Sequence, residues 1–225
     1  MRACSRAEGR RRPRPCVLGL TGSIGMGKST AAAMLRRLGV PVHDADAAVH
    51  AMLQPGGEAE AAVAAAFPEV ATAVGIDRRA LGARVFADRA ALRRLERILH
   101  PRVRRRAERF VRRHRLRRTP VIVLDIPLLF ETGGERLCDA VIVVAAPRFV
   151  QTRRVLRRPG MTRRRLTEIR RQQLPDAVKR VRADHVIETG LGRIAALRQL
   201  RAILHGLPHT AARRGTGDPP GTAED

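Results

Sequence analysis

Apolar residues fall into two kinds of pattern along the chain. Short unbroken runs occupy residues 16–21, 121–125 and 140–145, with shorter ones at 40–44 and 183–188. Such runs, rich in Val, Ile and Leu and bounded by turn residues, predict buried strands. Between them apolar residues recur at helical spacing: residues 30–38 are rich in strong helix formers, 47–53 are similar, and 194–204 form a last amphipathic helix. Gly39 follows the first of these as a C-cap, and Pro147 opens another helix after the strand at 140–145. Strand runs alternating with helical runs predict an α/β domain.

One stretch does not fit simple alternation. From Glu58 to Arg118 the pattern is almost wholly helical, with a turn around Gly75-Ile76-Asp77. It is too long for one crossover helix between neighbouring strands, so residues 58–118 are expected to be an inserted helical lobe. The core is then 16–57 and 119–206. Leu92, Leu95, Ile98 and Leu99 recur as core-facing positions, and His100-Pro101 is expected to break or kink that helix. Residues 149–171 read as helix, break at Pro159-Gly160, and helix again, with arginines at both mouths; a mobile lid at about 153–172 is expected. Residues 1–15, basic, and 207–225, rich in Gly, Pro and Thr, are expected to be disordered.

Composition changes the picture only in part. The 225 residues carry 45 Lys plus Arg, nearly all Arg, against 21 Asp plus Glu, a formal charge of +24. That balance fits a nucleic-acid binder, an enzyme acting on anionic phosphates, or a chain simply rich in Arg and Ala. There is no Trp or Tyr and only five Phe. A surface that stacks bases has little to work with, and no groove-reading motif is present, so nucleic acid is set aside as a partner. Cys4, Cys16 and Cys138 show no metal-ligand spacing and read as reduced thiols of a cytosolic protein. No stretch approaches a membrane span or has the apolar region of a secretory signal.

The candidate chemistry is concentrated after the first strand. Gly22-Ser23-Ile24-Gly25-Met26-Gly27-Lys28-Ser29 matches a glycine, four residues, then Gly-Lys-Ser/Thr, between a strand and a helix. Glycines let successive N–H groups approach phosphate oxygens, and the helix that opens at Gly27 or Lys28 aims its positive end at the same point. Lys28 would reach the outer phosphates and the Ser29 hydroxyl would serve as a ligand of Mg²⁺. Asp44 and Asp46 stand at the end of the second strand run, where open α/β sheets bind ligands. Either could face an attacking hydroxyl, or cap the helix that follows. Asp125 ends an apolar strand run and could orient metal-bound water or cap the next segment. On the lid, arginine suits phosphoryl transfer because its planar fork stays charged.

These residues resemble the dephospho-coenzyme A kinase family. The matching segments are 20–30, Asp44-Ala45-Asp46, Arg84-Val85-Phe86, Leu99-His100-Pro101 and Pro127-Leu128-Leu129-Phe130-Glu131. Arg154 and Arg158 before Met161-Thr162, then Gln173 and residues 183–187, continue it in the same order. The resemblance runs from about Val17 to Leu204. It implies a P-loop kinase with a central five-stranded parallel sheet, a helical acceptor-binding insertion and a lid. It further implies transfer of the γ-phosphoryl group of ATP, with Mg²⁺, to the ribose 3′-hydroxyl of dephospho-coenzyme A; a cytoplasmic monomer is expected. Carried onto this chain, Asp46 is the base or hydroxyl-orienting group with Asp44 beside it. Lys28 and residues 22–30, Thr30 included, hold ATP; Arg158 and Arg154 reach its phosphates; Arg84 and His100 contact the acceptor. The turn Arg157-Arg158-Pro159-Gly160 departs from the commoner Arg-Asp lid turn. A kinase for another small hydroxylated acceptor, and a nucleic-acid-binding P-loop protein, are the alternatives.

Overall fold

A computed structural model describes residues 14–207. The expected disorder of the two ends, and Cys4, therefore lie outside the described residues, except at Arg14, Pro15 and Leu207. Arg14 is pinned to Asp139 at 2.8 Å, and Leu207 packs partly buried against the main core.

Five strands form one parallel sheet: β1 (Cys16–Thr21), β2 (Val42–Asp44), β5 (Val121–Asp125), β6 (Ala140–Ala145) and β7 (His185–Glu188). Their order is β2-β5-β1-β6-β7, with β1 central. A two-stranded antiparallel ribbon, β3 (Ala71–Thr72) and β4 (Gly75–Ile76), lies apart from it. β2 is shorter than the apolar run 40–44 because Pro41 has no N–H to give the ladder; its carbonyl alone accepts, from Val123. The strands are apolar on both faces because both faces are covered. On one side Leu18, Leu20, Val123, Ile142, Val144 and Ile187 pack with helices α1 (Lys28–Arg37) and α9 (Arg193–Gly206) through Leu35, Ala196 and Leu200. On the other, Val17, Ile122 and Leu124 meet Ala107, Phe110 and Val111.

Those last three belong to α5 (Arg89–Leu116), 28 residues long, which joins the sheet to a second cluster. There Ala91, Leu95 and Leu99 pack against residues of α2 (Ala45–Met52), α3 (Glu60–Ala66) and α4 (Arg78–Ala87), with Phe67 and Val70 between. Of the four expected core positions, Leu95 and Leu99 are buried, Ile98 is half-buried and Leu92 is 37% exposed. The expected break at His100-Pro101 does not occur: the helix runs through Pro101. Proline removes one helical N–H, and Arg102 fastens the turn beside it. Its guanidinium donates to the Ile98 carbonyl at 2.7 Å and the Glu58 carbonyl at 3.0 Å. At 1.5 Å per residue α5 spans about 42 Å, long enough to belong to both clusters.

After β6 come α6 (Arg148–Leu156) and α7 (Arg163–Gln172), separated by a turn in which Gly160 has φ +70°. α8 (Asp176–Arg182) follows. Among the described residues no helix is long and apolar enough to cross a membrane.

Candidate active site

Residues 22–29 turn between β1 and α1. Gly25 and Gly27 have φ of +75° and +95°, a region that side chains avoid. Gly22 is needed for a different reason: a Cβ there would collide with the side chain and carbonyl of Val144 on β6. Gly27 is the N-cap of α1, supplies no side-chain cap, and no acidic residue stands in the first turn. The first N–H groups of the helix are thus left for an anion, with Lys28 beside them.

Neighbouring strands then bring carboxylates to the same edge. Leu20, Asp125 and Asp44 are register partners at the ends of β1, β5 and β2. The Lys28 ammonium donates to Asp125 Oδ1 at 2.6 Å. Burial pushes the Asp125 carboxyl above its usual range; Lys28 pulls it down, and Asp44 and Asp46 push it further up.

Two residues apart, Asp44 and Asp46 have different surroundings. Asp44 caps α2, accepting from the Ala47 N–H at 3.0 Å, and lies 3.6 Å from Arg36. Asp46, one position inside the helix, lines a cavity of about 610 Å³ with Gly22, Ser23, Ile24, Gly25, Gly27, Lys28, Ser29 and Thr30. Met26 is buried and its side chain joins the core below. Burial raises the Asp46 carboxyl, Lys28 opposes this, and Asp44 adds to it. The capping reading therefore belongs to Asp44, which is not among the residues lining the cavity.

The two lid arginines also differ. Both line the cavity. Arg158, in the turn between α6 and α7, is exposed and its guanidinium has no protein partner among the described residues. Arg154 is engaged: it donates to the Thr189 hydroxyl and carbonyl, each at 2.9 Å. That hydroxyl in turn donates to the Met26 carbonyl at 2.6 Å. Arg154 thus holds the loop after β7 against the glycine loop while it lines the cavity.

Arg84 and His100 are not brought to this cavity. Arg84 pairs with Asp88, the N-cap of α5, at 2.8 Å and with Glu69 at 3.4 Å, which ties α4 to its neighbours. His100 is exposed on α5. Sequence reasoning had assigned no role to Thr189, Pro127 or Arg193, which all line the cavity. Thr189 lies in a turn with nothing in its spacing to mark it. Arg193 directly follows a Gly-x-Gly turn and could have been noticed.

Behind the cavity, Glu131 anchors the next layer. It pairs with Lys179, which is wholly buried, at 2.8 Å and accepts from the Leu174 N–H at 2.9 Å. Burial alone would raise the Glu131 carboxyl; Lys179 and the Leu174 amide hold it below its ordinary value. Arg182 lies over the Phe130 ring at 4.4 Å, so α8 docks on this segment through two contacts.

Among the described residues no group of three or more His, Cys, Asp or Glu could cage a metal ion unaided. Of the two expected Mg²⁺ ligands, Ser29 lines the cavity, whereas Asp125 is buried behind Lys28 and is not among the lining residues. Both are hard oxygen donors of the kind Mg²⁺ takes when phosphates and water complete its shell.

A family model described as Dephospho-CoA kinase matches residues 16–192. A Dephospho-CoA kinase of Rhodospirillum rubrum is 62% identical over 200 residues, 88% of this chain and 92% of that one. One from Novosphingobium aromaticivorans is 55% identical over 196 residues, 84% and 96% of the two chains. Among solved structures, TT1252 from Thermus thermophilus has a TM-score of 0.76 at 40% identity, over 87% of this chain and 99% of that one. The Dephospho-CoA kinase from Campylobacter jejuni shares the fold, with a TM-score of 0.60 at 22% identity over 84% and 95%. With agreement that begins at the first strand and ends in the turn before α9, the chain belongs to the dephospho-CoA kinase family.

Proposed function

We propose that the chain transfers the γ-phosphoryl group of ATP to the ribose 3′-hydroxyl of dephospho-CoA, giving CoA and ADP, the final step of CoA biosynthesis. The observation that carries this is that Lys28 and Asp46 line one cavity. A cation for a polyphosphate and a carboxylate for an alcohol thus face the same space.

Phosphoryl transfer has a loose transition state, so the protein's work is alignment, neutralisation of charge and exclusion of water. In this reading Lys28 and the loop amides other than those of Ile24 and Met26, which are given to Gln173 and to the Ser23 carbonyl, hold the triphosphate. Asp46 accepts a hydrogen bond from the acceptor hydroxyl and takes its proton as the bond to phosphorus forms. Arg158 places its guanidinium on the transferring group, and Arg154 keeps the cavity wall in place through Thr189. Ser29 and Asp125 would hold Mg²⁺, which supplies neutralisation of phosphate charge. The helical lobe, residues 58–118, receives the remainder of the acceptor.

The test is coupled ADP release with dephospho-CoA, run beside Lys28→Ala. Turnover that needs dephospho-CoA and is lost in the variant is expected. The rival reading is a kinase for another small acceptor on the same scaffold. Phosphorylation of a nucleoside monophosphate or a sugar acid, but not of dephospho-CoA, would select it.

A further inference from the structure

Both backbone groups of Ile24, in the middle of the glycine loop, are held by side chains from outside the loop. Gln151 Nε2, on α6, donates to the Ile24 carbonyl at 2.8 Å. The Ile24 N–H donates to Oε1 of Gln173, the C-cap residue that follows α7, at 3.1 Å. Gln151 is only 4% exposed, and its amide is used at both ends. Its oxygen accepts from Arg170 of α7 through Nε, at 3.0 Å, and through Nη2, which also reaches the Thr152 hydroxyl at 3.0 Å. The next loop residue, Gly25, is seated directly on α6: a Cβ there would collide with Val155.

The connection therefore runs from Arg170 through Gln151 to Ile24 and back through Gln173 to the end of the helix that carries Arg170. The turn between these two helices holds Arg158. A swing of α7 away from α6 must strip Arg170 from Gln151 and draw Gln173 off Ile24 together. We infer that Gln151, Gln173 and Arg170 are positioning residues that couple the placement of the Arg158 turn to the shape of the phosphate loop. With the hairpin closed, Ile24 is clamped and the N–H groups that follow it are oriented before nucleotide arrives. By reciprocity, a nucleotide that favours that loop shape favours the closed hairpin. The inference rests on the cavity being the ATP site.

Arg170 does not line the cavity, so a direct electrostatic effect on ATP is not its contribution. Steady-state kinetics of Arg170→Met, Gln151→Leu and the double variant test the coupling. Each single change is expected to raise KM for ATP about fivefold, the worth of one hydrogen bond. The double change is expected to raise it no further, because both act through one amide. Multiplied effects in the double variant would overturn the coupling. Should the buried Gln151 change prevent folding, Arg170→Lys keeps one donor for the amide and is expected to restore KM to within about twofold of the parent. A KM unmoved in Arg170→Met, or a lysine no better than methionine, would overturn it as well. ATP binding left intact in Lys28→Ala would instead overturn the site on which the inference rests, whatever the hairpin variants show.

Discussion

Lys28 Nζ lies 2.6 Å from Asp125 Oδ1, and the two side chains are 15% and 3% exposed. The phosphate-loop cation is therefore held by a carboxylate at the end of β5, the strand beside β1 in the sheet. A pair this sheltered is not a surface ion pair, and breaking it leaves a charge with nowhere to go.

Lys28→Met is expected to destabilise the protein by about 3 kcal/mol at neutral pH, on top of its effect on turnover. Asp125 already titrates above its usual range, and without Lys28 it must rise further. A carboxyl raised in the folded state takes stability away as pH climbs from the unfolded value through the folded one. The gap in Tm between variant and parent should therefore widen as pH rises above the ordinary carboxylate range. A constant gap would count against the pairing.

Asp46→Asn is expected to lower turnover by a factor of about 10² while KM for ATP changes little, as for a group that acts mainly in the transition state. Its carboxyl is raised by burial, so activity in the parent should fall as pH drops through a value above the ordinary carboxylate range. That acid limb should vanish in the variant. Near-parental turnover would reassign the base.

Asp44→Ala separates the cap from the chemistry. Loss of the hydrogen bond to the Ala47 N–H is expected to cost about 1 kcal/mol in urea unfolding. The loss of turnover should be at least about tenfold smaller than that of Asp46→Asn. Equal losses would show that both carboxylates face the acceptor.

Lys179→Met leaves Glu131 buried against an uncharged neighbour, with an expected cost of about 3 kcal/mol. Lys179→Met with Glu131→Gln keeps an acceptor for the Leu174 N–H and removes the stranded charge. It should recover more than half of the loss in thermal unfolding. A double variant no more stable than the single would deny the pair its role.

Much of this architecture was legible because the strands are buried on both faces and so read as unbroken apolar runs. The bounds of β1, β5 and β6 coincide with those runs. The glycine loop was equally legible, since its backbone geometry demands particular residues. Other features depend on where a helix begins or what lies across from it. Asp44 and Asp46 are chemically alike, and only the first turn of α2 decides which one caps. Arg154 and Arg158 are four positions apart, one on α6 and one in the turn after it, and the loop carrying Thr189 engages only the first. Pro101 suggested a break or kink, but the helix continues, and Arg102 beside it donates to the Ile98 carbonyl and, across 44 positions of chain, to that of Glu58.

Of the 45 Lys plus Arg in the chain, only Lys28 and Lys179 are lysines. Each meets a single carboxylate in a confined space, where the broad guanidinium of arginine would bring donors that have no acceptors. Lys179 has no exposed surface. A reagent selective for primary amines consequently finds, among side chains, one accessible target, and that target stands on the cavity wall. In the proposed reading ATP would shield Lys28 from acylation, with the α-amine of the chain as the comparison that ATP leaves unchanged.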